Sequence, residues 1–230
     1  MHTKRLSGSS AAALREAAAL LQSGETVAFP TDTVYGLGAH ALDADAVQKI
    51  YEAKGRPSDK PLIILIHDRA QLHTVALEIS EAAEKLMQAF WPGPLTLVFQ
   101  KQPGVVPDYV TRGLDTVAVR MPNHPAALAL LKLADVPVAA PSANLSGNPS
   151  PTTAAQVEQE LSGRIAAVVD GGVCQVGVAS TILDVSRDVP VILRKGSVTK
   201  AQLEQIIGQP VLDGTVSCMN HVQVRKQGME

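Results

Sequence analysis

Lys54-Gly55-Arg56-Pro57-Ser58-Asp59-Lys60-Pro61-Leu62 joins two segments of different period. Residues 45–53 before it carry apolar side chains at helical spacing. Residues 62–66 after it, Leu-Ile-Ile-Leu-Ile, are a continuous apolar run of strand length. A helix that hands over to a buried strand is the unit of an α/β fold. The connection itself carries three cations, Lys54, Arg56 and Lys60. Pro57 and Pro61 fix φ and remove N–H groups, so the loop is stiff. Gly55 lets the backbone approach a neighbour closely. A stiff cationic loop at the mouth of a core strand suits a polyanionic ligand; a solvated basic turn is the competing reading.

Upstream, an alanine-rich helix runs from a cap at Ser9 or Ser10 to about residue 23, where Gly24 ends it. Residues 26–29 read as a strand that Pro30 stops. Pro30-Thr31-Asp32-Thr33-Val34-Tyr35-Gly36-Leu37-Gly38 follows as a small, polar loop, and 43–54 is the helix leading into the basic junction. Downstream, 80–90 is a helix closed by Trp91-Pro92-Gly93-Pro94. Residues 96–100 and 116–120 are strands with a loop, 103–115, between them. Next come a helix at 125–133, a short buried strand at 137–140 and a second polar loop at 141–152. Thr152 or Thr153 caps a helix to about 161, and 165–169 is a strand before the turn Asp170-Gly171-Gly172. Residues 180–185 and 191–194 pair as a hairpin, and a last helix runs from Ser197 or Thr199 to 207. Beyond Gly208 the periodicity is lost. Two strand pairs have no helix between them, so the expected class is α/β with an open, twisted, mixed sheet. The expected organisation is one domain, 1–207, followed by a tail or linker, 208–230.

Of the 230 residues 46% are hydrophobic, enough for a large core, whereas aromatics are 3% and net charge is −2, so the basic loop is a local feature. Cys174 and Cys218 are far apart and suggest neither a disulfide framework nor a zinc site. No run reaches the ~18 apolar residues of a membrane span, and the start has no apolar h-region, so a cytoplasmic protein without membrane attachment is expected. P-loop, dinucleotide, nucleophile-elbow and zincin patterns are absent, and Ser142 with His124 or His67 lacks the surroundings of a hydrolase pair. No protein metal site is expected.

What remains is a set of polar residues at strand mouths. Thr33 follows the first strand. Lys54, Arg56 and Lys60 precede the second, and His67 follows it. Arg120 ends another, Ser142 and Asn144 follow the next, Ser180 opens one and Arg194 closes one. Each has an ordinary role as a turn former or strand-end cation. Their joint position at strand mouths is where α/β proteins bind ligands.

Six stretches stand in one order: P-T-D-T-V-Y-G-L-G, K-G-R-P-S-D-K-P-L, W-P-G-P-L-T, R-M-P-N-H-P, A-P-S-A-N-L-S-G and S-T-I-L-D. With them the chain resembles the YrdC/Sua5 family, the threonylcarbamoyl-AMP synthases, over about residues 8–207. The resemblance implies an open twisted sheet with helices around a deep, positively lined cavity. It implies a nucleotidyltransferase that makes L-threonylcarbamoyladenylate from L-threonine, bicarbonate and ATP, releasing pyrophosphate, for t6A modification of tRNA.

The family's K-x-R and S-x-N signature falls on Lys54, Arg56, Ser142 and Asn144, the implied catalytic set. Arg56, Lys60, Thr116, Ser142, Ser150 and Arg194 are the implied ATP contacts, and Thr33, His67, Arg120 and Ser180 the threonine contacts. A guanidinium at Arg120 suits a carboxylate because it binds two oxygens at once. Mg²⁺ is expected to accompany ATP, with Asp32 as the nearby carboxylate. Partners implied are a downstream tRNA threonylcarbamoyl-transfer machinery and weak RNA binding. Two alternatives are a non-catalytic module for double-stranded RNA or tRNA, which the low aromatic content disfavours, and a carbamoyl-phosphate-using domain of hydrogenase maturation. The ending Lys226-Gln227-Gly228-Met229-Glu230 resembles the start of the linker to a second domain in longer relatives.

Overall fold

The computed structural model describes residues 2–57 and 60–215. In chain order the elements are β1 (Lys4–Ser7), α1 (Ala11–Gln22), β2 (Val27–Phe29), β3 (Gly36–His40), α2 (Ala44–Lys54) and β4 (Ile63–Leu65). Then come α3 (Leu72–Val75), α4 (Glu81–Phe90), β5 (Leu95–Gln100), α5 (Asp108–Thr111), β6 (Thr116–Arg120), α6 (Pro125–Ala134) and β7 (Val138–Ala139). The rest are α7 (Ala154–Leu161), β8 (Ala167–Asp170), β9 (Thr181–Asp184), β10 (Val191–Arg194), α8 (Lys200–Ile207) and β11 (Leu212–Asp213). One mixed sheet of 11 strands has the order β1-β8-β2-β3-β7-β4-β6-β5-β9-β10-β11. Pairs without an intervening helix, β2 with β3 and β9 with β10, are antiparallel, whereas β4 with β6 and β5 with β9 are parallel.

Strand alternation sends successive side chains to opposite faces. Val27 and Phe29 of β2 pack under α1 and α6, while Ala28 packs in the larger core with α2, α4, α7 and α8. Local chemistry fixes the helix ends. Ser10 caps α1, Pro125 opens α6 at its first turn, and reciprocal capping boxes, Thr153 with Gln156 and Thr199 with Gln202, start α7 and α8. Gly55 ends α2 in the left-handed region at φ 55°, which turns the chain sharply into the basic loop.

The structure differs from the sequence reading in several places, α3 among them. Gly36–His40, of which 36–38 were expected as loop, is β3, a buried strand between β2 and β7. At Gly38 space forbids a side chain. A Cβ on Gly38 would lie 2.6 Å from Phe29 Cε1 and 2.8 Å from Val138 Cγ1. Lys4–Ser7, unassigned before, is the edge strand β1 on β8. The loop 103–115 contains α5. Past Gly208, Val211 is buried and Leu212–Asp213 pairs with β10. The end of the chain, 216–230, with the linker-like residues 226–230 and Cys218, lies outside the described residues. No described helix is long and apolar enough to cross a membrane.

Candidate functional site

A cavity of about 350 Å³ lies where the α1/α6 layer stops, over β4. Parallel register sets Leu65 of β4 beside Arg120 of β6, so both reach this space. On the other side of β4, β7 leads into Pro141 and Ser142, and Ser142 bridges Gly36. Thr33, Arg56, Lys60, Arg120, Ser142, Ser150, Ser180 and Arg194 all stand in the wall, although the sequence spreads them over most of the chain.

Arg120 is buried and held on three sides. Its Nε donates to the Gly93 carbonyl at 2.9 Å, Nη1 to Thr33 Oγ1 at 2.8 Å and Nη2 to Asp32 Oδ1. A guanidinium has five N–H groups, so one on each Nη remains for a ligand. Burial pulls the Arg120 pKa below its ordinary value, opposed by the Asp32 carboxylate. Thr31 Oγ1 donates to the Val34 carbonyl at 2.7 Å. The 3.0 Å contact between Thr31 and Thr33 therefore has the Thr33 hydroxyl as donor, and a directed chain runs from Arg120 through both threonines to the backbone.

Across the cavity, Arg194 donates from Nε to the Ser180 carbonyl and from Nη2 to Ser180 Oγ, each at 3.0 Å. Ser180 Oγ lies 2.7 Å from the buried Thr96 hydroxyl. Burial, then the charges of Arg120 and Arg56, lower the Arg194 pKa. The three guanidiniums stand close enough to perturb one another, so positive charge is concentrated around this cavity.

Lys54 and Asn144, expected in the catalytic set, stand behind the wall. Lys54 Nζ donates to the carbonyls of Ser142, at 2.5 Å, and Asn144, while its own carbonyl accepts from Ser146 N at 2.9 Å. Burial and then Arg56 pull its pKa down to about 8. Asn144 Nδ2 donates to the carbonyls of Leu145 and Asn148, each at 2.8 Å. Two of the three Lys54 N–H donors and both Asn144 amide N–H groups go to loop backbone, so they position Ser142 and the loop after it, while Asn144 Oδ1 is buried with no hydrogen-bond partner among the described residues. Asp32, the one nearby candidate carboxylate for an ATP-borne Mg²⁺, is committed within the protein. Its Oδ1 is committed to Arg120 and Asn123 N, and its Oδ2 is buried. Among the described residues no group of three or more His, Cys, Asp or Glu could hold a metal ion.

His67 lies past the end of β4, outside the wall. Its backbone N–H is held by Gln71 Oε1 at 2.9 Å, and its Nε2 is buried without a hydrogen-bond partner among the described residues. Thr116 begins β6 on the face that carries Arg120, also outside the wall. Sequence reasoning missed Thr31, Thr96 and the strap 171–179. The strap is tied down by Val176 N to the Asp32 carbonyl, Gly177 N to the Thr33 carbonyl, and the Tyr35 hydroxyl to the Gly172 carbonyl. Burial pushes the Tyr35 phenol up to about 12 and the Cys174 thiol up to about 11, so both are neutral near pH 7.

The family model for Sua5, YciO and YrdC proteins, described as "Telomere recombination", matches residues 19–196. The chain is 55% identical over 207 residues to a threonylcarbamoyl-AMP synthase of Bacillus subtilis, and the match covers 90% of this chain and 60% of that protein. It is 54% identical to a threonylcarbamoyl-AMP synthase of Pyrococcus abyssi, covering 85% and 57%. The structure of P. abyssi Sua5 complexed with L-threonine superposes with a TM-score of 0.87 at 49% identity, covering 92% of this chain and 62% of that one. The chain thus spans about three fifths of the length of these relatives.

Proposed function

The chain belongs to the Sua5/YciO/YrdC family, and from that premise we propose that its cavity makes L-threonylcarbamoyladenylate from L-threonine, bicarbonate and ATP. The observation that carries this reading is one cavity with two kinds of cationic end. At one end Arg120 presents two fixed N–H donors, the geometry for a carboxylate. At the other, Arg56, Lys60 and Arg194 supply charge for a phosphate chain. Relatives named for this synthesis, and one solved with threonine, support it.

In this reading the threonine amine takes up the carboxyl carbon of bicarbonate, with loss of water, to give a carbamate. A carbamate oxygen then attacks the α-phosphorus of ATP, and the bond to the β-phosphate breaks, releasing pyrophosphate. Ser142 and Ser150 donate to the nucleotide, with Thr116 further along the same sheet face. Thr33, beside Arg120, and Ser180, bound by Arg194, face the amino acid from the wall, with His67 further out past the end of β4. Catalysis is positioning and charge stabilisation in a site that shields the carbamate from water. Mg²⁺ would come with ATP and offset the charge of its phosphates, and no side chain of the wall is assigned to it.

We place the activity in the cytoplasm, ahead of the machinery that transfers the threonylcarbamoyl group to tRNA for t6A, with weak RNA contact on the way. The boundary expected at 207 moves: in this reading the domain takes in Val211 and β11, and a tail or the start of an interdomain linker begins after them. The test is pyrophosphate release with each substrate omitted in turn. Release that needs threonine, bicarbonate and ATP together is expected; threonine-independent release, or none, overturns the reading.

A further inference from the structure

The cavity cations differ in one respect. Arg120 is in contact with a buried carboxylate, whereas the Nε and Nη2 contacts of Arg194 are to Ser180 oxygens, and the charges that perturb it are cationic. Asp32 is 7% exposed. One of its oxygens serves Arg120 and Asn123 N; the other is buried and bonds to nothing among the described residues. Beyond holding Arg120, what Asp32 adds is its charge. The pair is neutral overall, yet two Arg120 N–H groups remain for a ligand. Such a site still binds a singly charged carboxylate by hydrogen bonds. It no longer attracts a multiply charged phosphate, because that attraction scales with net charge.

We propose that Asp32 is a specificity-determining residue that divides the cavity. It reserves Arg120 for the amino-acid carboxylate and keeps the phosphate chain, and the pyrophosphate released, at the end formed by Arg56, Lys60 and Arg194. This rests on the function proposed above.

Asp32→Asn isolates the charge. The amide has the same shape, its oxygen keeps the Asn123 bond, and its NH₂ takes the place of an oxygen that had no partner. The experiment is calorimetric binding of L-threonine with and without saturating inorganic pyrophosphate, alongside steady-state kinetics. In the wild type both ligands bind together. In Asp32→Asn pyrophosphate should exclude threonine, and the threonine KM should rise about tenfold or more, with kcat changing far less. Asp32→Glu, which keeps the charge, should leave the two ligands compatible.

Mutual exclusion already in the wild type overturns the proposal without any variant. So does Asp32→Asn that loses stability or kcat while threonine and pyrophosphate still bind together, since that marks a purely structural carboxylate. A wild type that binds both ligands but makes no adenylate refutes the functional reading and leaves the division of charge standing. A wild type that binds neither refutes both.

Discussion

Arg56 and Lys54 are two residues apart in one motif, and burial gives them different work. Arg56 reaches the cavity wall, while Lys54 is 2% exposed and serves carbonyls behind it. Charge-assisted hydrogen bonds contribute roughly 1.5–3 kcal/mol, so Arg56→Ala should lower kcat/KM for ATP by about 10- to 150-fold with little change in Tm. Arg56→Lys should not restore it, because a point charge does not replace a planar fork. Wild-type turnover by Arg56→Ala would remove it from the nucleotide site. Lys54 makes a pH prediction. Its pKa of about 8 in the folded chain lies below the ordinary 10.5, so the unfolded chain holds this proton more tightly. The stability it contributes as a neutral amine is present above 10.5 and is lost as pH falls through about 8. Urea unfolding of wild type and Lys54→Met should show a stability difference, wild type minus variant, that rises across this window and is flat below about pH 7. A difference that falls with pH contradicts the burial argument.

At the scale of elements, what the sequence showed and hid follows from side-chain size and exposure. Helix α2 and the apolar strand β4 were legible because each leaves a periodic mark, whereas Gly55, read as a point of close approach, is needed for its left-handed φ and has nothing within 4 Å of where a Cβ would stand. Strand β3 was not legible, because its small residues, Gly38 by packing, leave no apolar mark. The edge strands β1 and β11 were hidden by shortness, at 4 and 2 residues. The site was legible as residue types at strand mouths but not as directions. Nothing in K-x-R shows that Lys54 faces backward and Arg56 forward, and Asp32 is paired with a residue 88 positions away. Two glycines separate space from conformation. Gly38→Ala forces a methyl against Phe29 and Val138 and should cost about 1–3 kcal/mol. Gly55→Ala meets nothing within 4 Å but must hold φ 55°, and should cost about 1 kcal/mol. Chemical denaturation of both measures this. Because β3 underlies the turn that holds Thr33, Gly38→Ala should also raise the threonine KM; a change in stability alone would uncouple β3 from the amino-acid end.

The molecule as a whole is a sheet whose two ends meet solvent differently. At one end β1 is tied to β8 and to α1. At the other, β10 carries Arg194 into the cavity and is bordered by β11, which comes after the last helix. The sequence suggested that the domain stops near 207, so a cut after Gly208 would be harmless to the ligand-free protein. The structure argues otherwise. Val211 is 1% exposed and packs in the same core as Ile192, Leu203 and Ile207. Its N–H is held by Glu204 Oε1 at 2.9 Å, and Lys195 pairs with Asp213 at 2.6 Å. Burying a valine side chain contributes about 1.5–3 kcal/mol, and each backbone bond adds about 0.5–1.5. A chain ending at Gly208 should therefore lose about 2–4 kcal/mol in urea unfolding, and Val211→Ala in the full chain should reproduce roughly half of that. Removing β11 also frees the edge of β10, so the shortened chain should show a higher KM for ATP than for threonine relative to the 230-residue chain. An unchanged urea midpoint after the cut would mean that β11 rests on the domain without supporting it, and that Arg194 is positioned by Ser180 alone.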